Sequence, residues 1–307
     1  GYLITRSALN KWRTLSAINV RHFYWLRFSR IMPLLALVLL VLSLLHGLGI
    51  AGFVINTSRA SWGYATFAAL TFHINMYEIW VGYLPANWDI LWSISVEEFF
   101  YLFFPIVCAV MGNRKSLWGL LLVFLFLSPW ARTCLFPDND LGDRNHLAYL
   151  DSIAIGCVVA VLAQRTTVSR RTKRAMLVSG WLLILVVFCL RSTLYRYGLV
   201  KYGLNITLLS AGVGCVLFAV HFENLRATPR RFDILGGLRR LGQCSYEVYL
   251  THMFVIVVGA QIYKSAGLGD QWLIPYSLFL IGLSYLIGRA VFSGYSEPIN
   301  QWLRSKW

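Results

Sequence analysis

Two adjacent glutamates, Glu97 and Glu98, lie inside the apolar stretch WSISVEEFFYLFFP of residues 92–105. A carboxylate at the centre of a bilayer costs about 2.5–3.5 kcal/mol on insertion scales, so an ionisable group in such a stretch is a functional-site hypothesis. On a helix, Glu98 points roughly 100° away from Glu97, whereas Tyr101 lies one turn after Glu97 on the same face. This pairing favours a catalytic role for Glu97 and Tyr101, and Glu98 is expected to neutralise a basic side chain on a neighbouring helix.

A second polar stripe runs through CSYEVYLTHMF, where Tyr246, Tyr249 and His252 recur at intervals of three residues. This spacing places them along one side of a helix. Imidazole changes its charge near neutral pH, which suits acid–base catalysis. A histidine that only makes a packing hydrogen bond would give the same pattern, so both interpretations stay open for His252. The two tyrosines are candidates for substrate binding.

Arg27 and Arg30 lie three residues apart in FYWLRFSRIMP, at the start of another apolar stretch. Arginines in such positions commonly extend their charged ends to lipid headgroups. A guanidinium group also binds phosphate through two parallel hydrogen bonds. The pair is therefore a candidate for binding substrate phosphates, and the headgroup interpretation stays open beside it.

Asp151 lies near the amino end of a further apolar stretch, AYLDSIAIGCVVA. An acidic residue within a membrane segment is again a functional-site hypothesis, here for binding a substrate that arrives from outside. Gly156 in the same stretch permits a close approach of a neighbouring helix.

The composition places this chain in a membrane. Of its 307 residues, 58% are hydrophobic and 13% are charged, and the mean hydropathy is +0.61. A soluble domain is about half apolar and a quarter charged. The net charge of +15 comes from clusters between apolar runs, which is typical of cytoplasmic loops beside anionic lipid, so no nucleic-acid partner is predicted. The six cysteines occur singly, which indicates neither a metal site nor a disulfide framework.

Hydropathy predicts an all-α, polytopic transmembrane helix bundle with about eight to nine membrane segments. A crossing helix needs about 20 apolar residues. Nine stretches are candidates, at about 31–55, 63–84, 88–111, 116–136, 147–163, 175–191, 203–221, 244–263 and 272–293. The positive-inside rule places three basic loops in the cytoplasm: residues 6–30, 164–174 and 226–240.

The segment 63–84 is the weakest of these candidates. If all five stretches between residues 30 and 164 crossed the membrane, the first two basic loops would lie on opposite sides. The segment contains His73, Asn75 and Glu78, so we expect it to be re-entrant or to lie in the outer interface. No internal repeat is evident, and residues 1–307 are predicted to form a single domain.

The chain begins with GYLITRS, without an initiator methionine or a signal-peptide pattern. A short apolar segment beside a basic loop is typical of the end of a helix. We therefore expect the domain to be truncated at its N-terminus.

Six stretches, in this order, resemble the landmarks of the acyltransferase-3 family of integral membrane O-acyltransferases: GYLIT, FYWLRFSRIMP, LWSISVEEFFYLFFP, LDSIAIGCVVA, LGQCSYEVYLTHMF and SEPI. The resemblance covers nearly the whole chain. By position, Glu97 matches the family's glutamate and Tyr101 the aromatic residue after it. The family's arginine landmark falls on Arg27, Arg30 and Pro33.

The S-Y-x-x-Y-L-x-H stretch of the family falls on Ser245, Tyr246, Tyr249 and His252. The family's first helix, which carries an arginine and a histidine thought to act in catalysis, would precede GYLIT. None of the six histidines of this chain takes that position.

The resemblance implies a multi-pass enzyme of the bacterial inner membrane. It would transfer an acyl group, often acetyl, from acyl-CoA to a hydroxyl of a cell-surface or secreted carbohydrate or glycolipid. Acyl-CoA would be the donor substrate, and no bound cofactor is implied. Arg27 and Arg30 would bind the CoA phosphates from the cytoplasm, Glu97 would support the catalytic base, and the acceptor would enter near Asp151.

A proton-coupled transporter or a lipid-linked-sugar flippase is the alternative, since it would also place Glu97, Asp151 and His252 in a helix bundle. Transporters of that kind commonly show paired repeats, and their absence from the sequence favours the enzyme. An inactive membrane protein is a third interpretation, if the gene lacks the first helix.

Overall fold

The computed structural model describes residues 1–111, 114–137, 139–164, 168–222 and 234–306. Within these ranges every regular element is helical, which confirms the all-α prediction. The α-helices are α1 Tyr2–Trp12, α2 Val20–Gly47, α3 Trp62–Leu70, α4 Ile74–Val81, α5 Ala86–Asp89, α6 Trp92–Met111, α7 Arg114–Cys134, α8 Leu150–Ala163, α9 Arg170–Cys189, α10 Arg191–Arg196, α11 Leu204–His221, α12 Ile234–Gln243, α13 Ser245–Ser265, α14 Leu273–Val291 and α15 Glu297–Ser305.

Each apolar stretch of the sequence contains helix. Within the described residues, five helical segments are long and apolar enough to cross a membrane: Val20–Gly47, Ala86–Met111, Arg170–Cys189, Leu204–His221 and Asp270–Ser305. The same residues contain two shorter apolar helical stretches, Trp118–Cys134 of α7 and Leu150–Ala163 of α8. Ser169 caps the amino end of α9. Its hydroxyl accepts a hydrogen bond from the Thr172 amide at 3.1 Å.

The weak segment 63–84 forms two short helices, α3 and α4. Phe72 lies between them with a φ of 58°, and the His73 amide donates to the Ala68 carbonyl oxygen at 2.9 Å, so the chain turns sharply there. Neither helix reaches the about 20 residues that a crossing needs. The prediction that this segment does not cross the membrane remains to be tested.

Several basic residues of the predicted cytoplasmic loops lie outside the described ranges. These are Arg165, Arg226, Arg230 and Arg231. The described part of the last loop begins with α12, which carries Arg239 and Arg240.

The backbone contacts of the chain divide it into two compact units, and the single-domain prediction stays a prediction. The first unit comprises residues 1–23 and 96–227. In it α8 packs against α1, α7 and α11, and α11 packs against α9. A Cβ atom at Gly156 of α8 would lie 2.6 Å from the Tyr2 nitrogen of α1, so only glycine permits this approach.

The second unit comprises residues 24–95 and 228–307. In it α13 packs against α14 and α5. A Cβ atom at Gly288 of α14 would lie 2.5 Å from the Val248 side chain of α13, so these helices also meet at a glycine. The core of the unit draws on α2, α4, α5 and α13, and its buried members include Leu34, Leu42, Ile74, Trp88 and Leu250.

Candidate active site

Glu97 and Tyr101 are joined on α6, within the first unit. The Tyr101 hydroxyl donates to Oε2 of Glu97 at 3.0 Å, as the one-turn spacing predicts. Glu97 is exposed and Tyr101 is half-buried, so the described residues do not enclose the carboxylate. The carboxylate is thus oriented by a phenol and is accessible to a substrate or to a catalytic base. Its catalytic role stays a prediction.

Arg30 of α2 forms an ion pair with Glu247 of α13 in the second unit. Nη1 of Arg30 lies 2.9 Å from Oε1 of Glu247 but is not aligned for a hydrogen bond, whereas Nη2 donates to Oε2 at 3.1 Å. The Glu247 carboxylate is completely buried, and 22% of the Arg30 side chain is exposed. A buried carboxylate is tolerated only when it is paired, so this contact neutralises Glu247 and joins the two helices.

Aromatic rings complete the surroundings of the Arg30 guanidinium. Its central carbon lies 5.7 Å from the centre of the Tyr246 ring and 5.6 Å from that of Phe292. Both distances suit cation–π contacts. Arg27 lies one turn earlier on α2 and is half-buried. A phosphate at this position would share Arg30 with Glu247.

Tyr246 and Tyr249 connect α13 to backbone carbonyl groups of the same unit. The Tyr246 hydroxyl donates to the Ile31 carbonyl oxygen at 2.9 Å. The Tyr249 hydroxyl donates to the Ile90 carbonyl oxygen at 2.8 Å and lies 2.6 Å from the Ser93 hydroxyl. Both phenols therefore hold α13 in place, and their predicted contact with substrate stays untested.

His252 follows Tyr249 by one turn of α13. Its Nδ1 atom lies 2.6 Å from the Tyr249 carbonyl oxygen. A carbonyl oxygen only accepts, so Nδ1 carries the proton, and the neutral ring keeps its lone pair on Nε2. This tautomer is the one that could accept a proton at Nε2. The packing and catalytic interpretations of His252 both remain compatible with this geometry.

Asp151 is completely buried in the first unit and pairs with Arg132 of α7. Arg132 donates from Nη1 to Oδ1 at 3.0 Å and from Nη2 to Oδ2 at 2.7 Å. Oδ2 also accepts from the Thr207 hydroxyl at 2.5 Å, and Oδ1 from the Ser152 amide at 2.7 Å. The carboxylate oxygens are thus occupied by protein donors from α7, α8 and α11. This geometry supports a structural role for Asp151, and its predicted contact with the acceptor stays untested.

Three polar residues that carry these contacts were not among the sequence-based candidates: Arg132, Thr207 and Glu247. Glu247 follows Tyr246 in the second polar stripe, and an acidic residue there needs a basic partner, which is a signal the sequence contains. Arg132 lies near the end of an apolar stretch, where a lone arginine is commonly interpreted as a headgroup contact. Its partner becomes visible only in the packed structure.

Further buried polar side chains lie in the second unit. Asn75 and Glu78 of α4 and Asn87 of α5 have no exposed surface. Asn75 and Glu78 are three residues apart, so helical spacing could have placed them on one face. For Asn87, the sequence contains no pattern that predicts its burial beyond its position beside a tryptophan.

The predicted residues divide between the two units. Glu97, Tyr101 and Asp151 belong to the first unit; the residues of the second are Arg27, Arg30, Tyr246, Tyr249 and His252. Within the described part of the chain, no cluster of three or more histidine, cysteine, aspartate or glutamate side chains could hold a metal ion.

Comparison with known protein families matches residues 1–293 to the model of the acyltransferase domain known as acyltransferase-3. The chain belongs to this acyltransferase family. The match includes every site residue discussed above, and it confirms the family resemblance of the ordered motifs. No solved structure matches the chain.

Curated relatives of this acyltransferase-3 chain are O-acetyltransferases. The peptidoglycan O-acetyltransferase OatA of Listeria monocytogenes is 24% identical over 98% of this chain and 50% of its own length. The O-acetyltransferase OatA of Staphylococcus aureus is 22% identical over 98% of this chain and 51% of its own length. The chain therefore spans about half the length of the curated relatives it matches.

Proposed function

We propose that this chain is the membrane part of an O-acetyltransferase that transfers an acetyl group from acyl-CoA to a hydroxyl of a cell-wall polysaccharide. The observation that carries the proposal is the acyltransferase-3 match over residues 1–293. The names of the relatives support the acetyl group and the polysaccharide acceptor. The donor and a location in the bacterial inner membrane are parts of the proposal that rest on the sequence motifs.

The donor would bind at the beginning of α2. Arg27 and Arg30 lie one turn apart there, beside the basic amino-terminal loop that the positive-inside rule places in the cytoplasm. Because Glu247 compensates Arg30, a phosphate would share that guanidinium with the buried carboxylate. Arg27 would add a second guanidinium one turn away, while Arg30 offers its remaining N–H groups.

The chemical step would depend on Glu97. Acyl transfer from a thioester to an alcohol needs a base for the hydroxyl proton and donors for the tetrahedral oxyanion. The Glu97 carboxylate, oriented by the Tyr101 hydroxyl, would position or charge-stabilise the base. The proton moves from the sugar hydroxyl to that base, the carbonyl carbon gains the sugar oxygen, and the thiolate leaves and is protonated as CoA. His252 is a second candidate for proton transfer, since its Nδ1 atom is bonded to the Tyr249 carbonyl oxygen and Nε2 is the nitrogen left for exchange.

The test uses the full-length protein in lipid nanodiscs with acetyl-labelled acetyl-CoA and soluble, enzymatically released peptidoglycan fragments. We expect alkali-labile label on the carbohydrate, formed at a rate that depends on both substrates. The Glu97→Gln variant serves as the matched control. Label that appears only as free acetate, at a rate independent of the carbohydrate, would contradict the proposed transfer.

A further inference from the structure

Helix α5 contains two neighbouring side chains whose polar atoms have no partner in the described protein. Asn87 and Trp88 have no exposed surface. Neither Nδ2 nor Oδ1 of Asn87, nor Nε1 of Trp88, makes a hydrogen bond within the described ranges. A buried polar group without a partner loses its hydration and gains nothing in return, so such groups require an explanation.

Backbone groups in and beside α5 are bonded, unlike these three side-chain atoms. The Trp88 and Asp89 amides donate to the Pro85 carbonyl oxygen at 2.7 Å and 3.1 Å. The Tyr249 hydroxyl of α13 donates to the Ile90 carbonyl oxygen just after the helix. The Trp88 ring belongs to the core of the second unit, together with Ile74 of α4 and Leu250 of α13. These backbone groups are therefore bonded and the ring is packed, whereas the three side-chain polar atoms have no partner in the described protein.

The types of the unpartnered atoms select a ligand class. The Asn87 carboxamide donates and accepts, and the Trp88 indole only donates. A metal cation would meet the N–H donors, and a phosphate or carboxylate would meet the amide oxygen, so neither fits. A hydroxyl group both donates and accepts and satisfies an adjacent donor and acceptor. Several hydroxyls on one ligand are characteristic of a carbohydrate.

Access to these atoms requires α5 to move, and Gly82 before it is the candidate hinge. Gly82 precedes it with a φ of 90°, a conformation open to glycine, and a Cβ atom there would meet nothing within 4 Å. The helix itself has four residues, but an outward movement would withdraw the Trp88 ring from the core, so the contacts with the ligand have to compensate for that loss. Closed α5 keeps three polar atoms unpaired, whereas an open form could bind ligand hydroxyls. A ligand shifts such an equilibrium through its preference for the open form.

The predicted topology places α5 on the outer side of the membrane. The positive-inside rule assigns the start of α2 to the cytoplasm, and its 28 residues extend about 42 Å, enough to cross. Helices α3 and α4 follow without a predicted crossing, and α5 forms the start of the next candidate span, Ala86–Met111. A polysaccharide acceptor outside the cell would approach from this side.

We propose that α5 is a recognition element for the carbohydrate acceptor, in which Asn87 and the Trp88 indole N–H pair with sugar hydroxyls when the helix opens at Gly82. This inference rests on the proposed O-acetyltransferase function and names part of its acceptor site. The inference predicts two opposite effects of an apolar residue at position 87. Such a residue would stabilise the closed protein and would weaken acceptor binding.

The experiment measures unfolding temperature and affinity for soluble peptidoglycan fragments, without donor, for the full-length protein in nanodiscs. The variant Asn87→Leu removes the unpaired amide at similar volume. Its control is Asn145→Leu, because Asn145 is equally buried but donates to the Ala131 and Gly142 carbonyl oxygens at 2.9 Å and 2.7 Å. We expect Asn87→Leu to keep or raise the unfolding temperature and to weaken binding about tenfold, the scale of one to two hydrogen bonds. Asn145→Leu should lower the unfolding temperature.

A lowered unfolding temperature for Asn87→Leu with unchanged affinity would overturn the inference, because the amide would then be structural. An unchanged unfolding temperature together with an unchanged affinity for Asn87→Leu would overturn the inference as well. If Asn87→Leu does not fold, Trp88→Phe decides, since it keeps the ring and removes only the N–H. Weaker binding at an unchanged unfolding temperature supports the site, and normal affinity overturns it.

The failure of this inference differs from the failure of the proposed function. Wild-type protein that transfers acetyl to no carbohydrate contradicts the function itself. Wild-type protein that transfers acetyl, while Asn87→Leu and Trp88→Phe keep normal acceptor affinity, contradicts only the role of α5.

Discussion

The guanidinium of Arg132 faces the carboxylate of Asp151 through two hydrogen bonds, at 3.0 Å and 2.7 Å, and both side chains are buried. They lie on α7 and α8, and the Thr207 hydroxyl brings α11 to the same carboxylate. Three helices of the first unit therefore meet at one charge pair. Such a pair contributes little net stability, but removing one partner leaves an uncompensated buried charge.

Arg132→Met should consequently destabilise the protein by about 3–5 kcal/mol, because Asp151 would lose its countercharge. The combined variant Arg132→Met with Asp151→Leu should recover most of that loss, since no charge remains buried. The measurement is the free energy of unfolding in detergent by denaturant titration. A loss below about 1 kcal/mol for the single variant, the scale of a surface pair, would show that the pair is not buried in the protein.

Arg27 and Arg30 should differ when each is replaced by glutamine. Arg27→Gln should raise the KM for acetyl-CoA about tenfold, the loss of one charge-assisted hydrogen bond. Arg30→Gln should lower stability because it leaves the buried Glu247 carboxylate unpaired, and a second change, Glu247→Gln, should restore it.

The control for this pair is Arg170→Gln, at the exposed start of α9. A KM change as large as that of Arg27→Gln would indicate general electrostatic attraction instead of a phosphate site.

Glu97→Gln should reduce acetyl transfer by about two to four orders of magnitude, the usual scale for lost acid–base or electrostatic support. The amide keeps the volume of the side chain and can still accept from Tyr101, so the amount of folded protein should change little. Glu98→Gln is the matched control and should stay within a few-fold of the wild type. Transfer per mole of folded protein is the measurement, and equal losses for both variants would remove the distinction between them.

The segment from α3 to α5 should return to the outer side without crossing. In a cysteine-free background, Tyr83→Cys places a thiol in the exposed connection before α5, where 61% of the native side chain is exposed. An impermeant thiol reagent should label it from outside intact cells. Labelling that requires permeabilised membranes would reverse the predicted topology.

The sequence by itself determined the helical class and the membrane setting. Lipid offers no hydrogen-bond partners, so an apolar stretch must satisfy its backbone internally as a helix. It also determined the contact between Glu97 and Tyr101, because residues one turn apart on a helix are neighbours whatever the fold. The family followed from motif order, which the match over residues 1–293 confirms.

Only the tertiary structure decided which charges pair. Arg30 and Glu247 are separated by 217 positions, and Arg132 and Asp151 by 19. Helical periodicity relates residues within one helix, whereas the side chain that faces a given charge depends on how helices pack. The same packing withdrew Asp151 from solvent and left the Asn87 amide without a partner in the described protein. Burial is a property of the assembled helices, and no local pattern around these two residues specifies it.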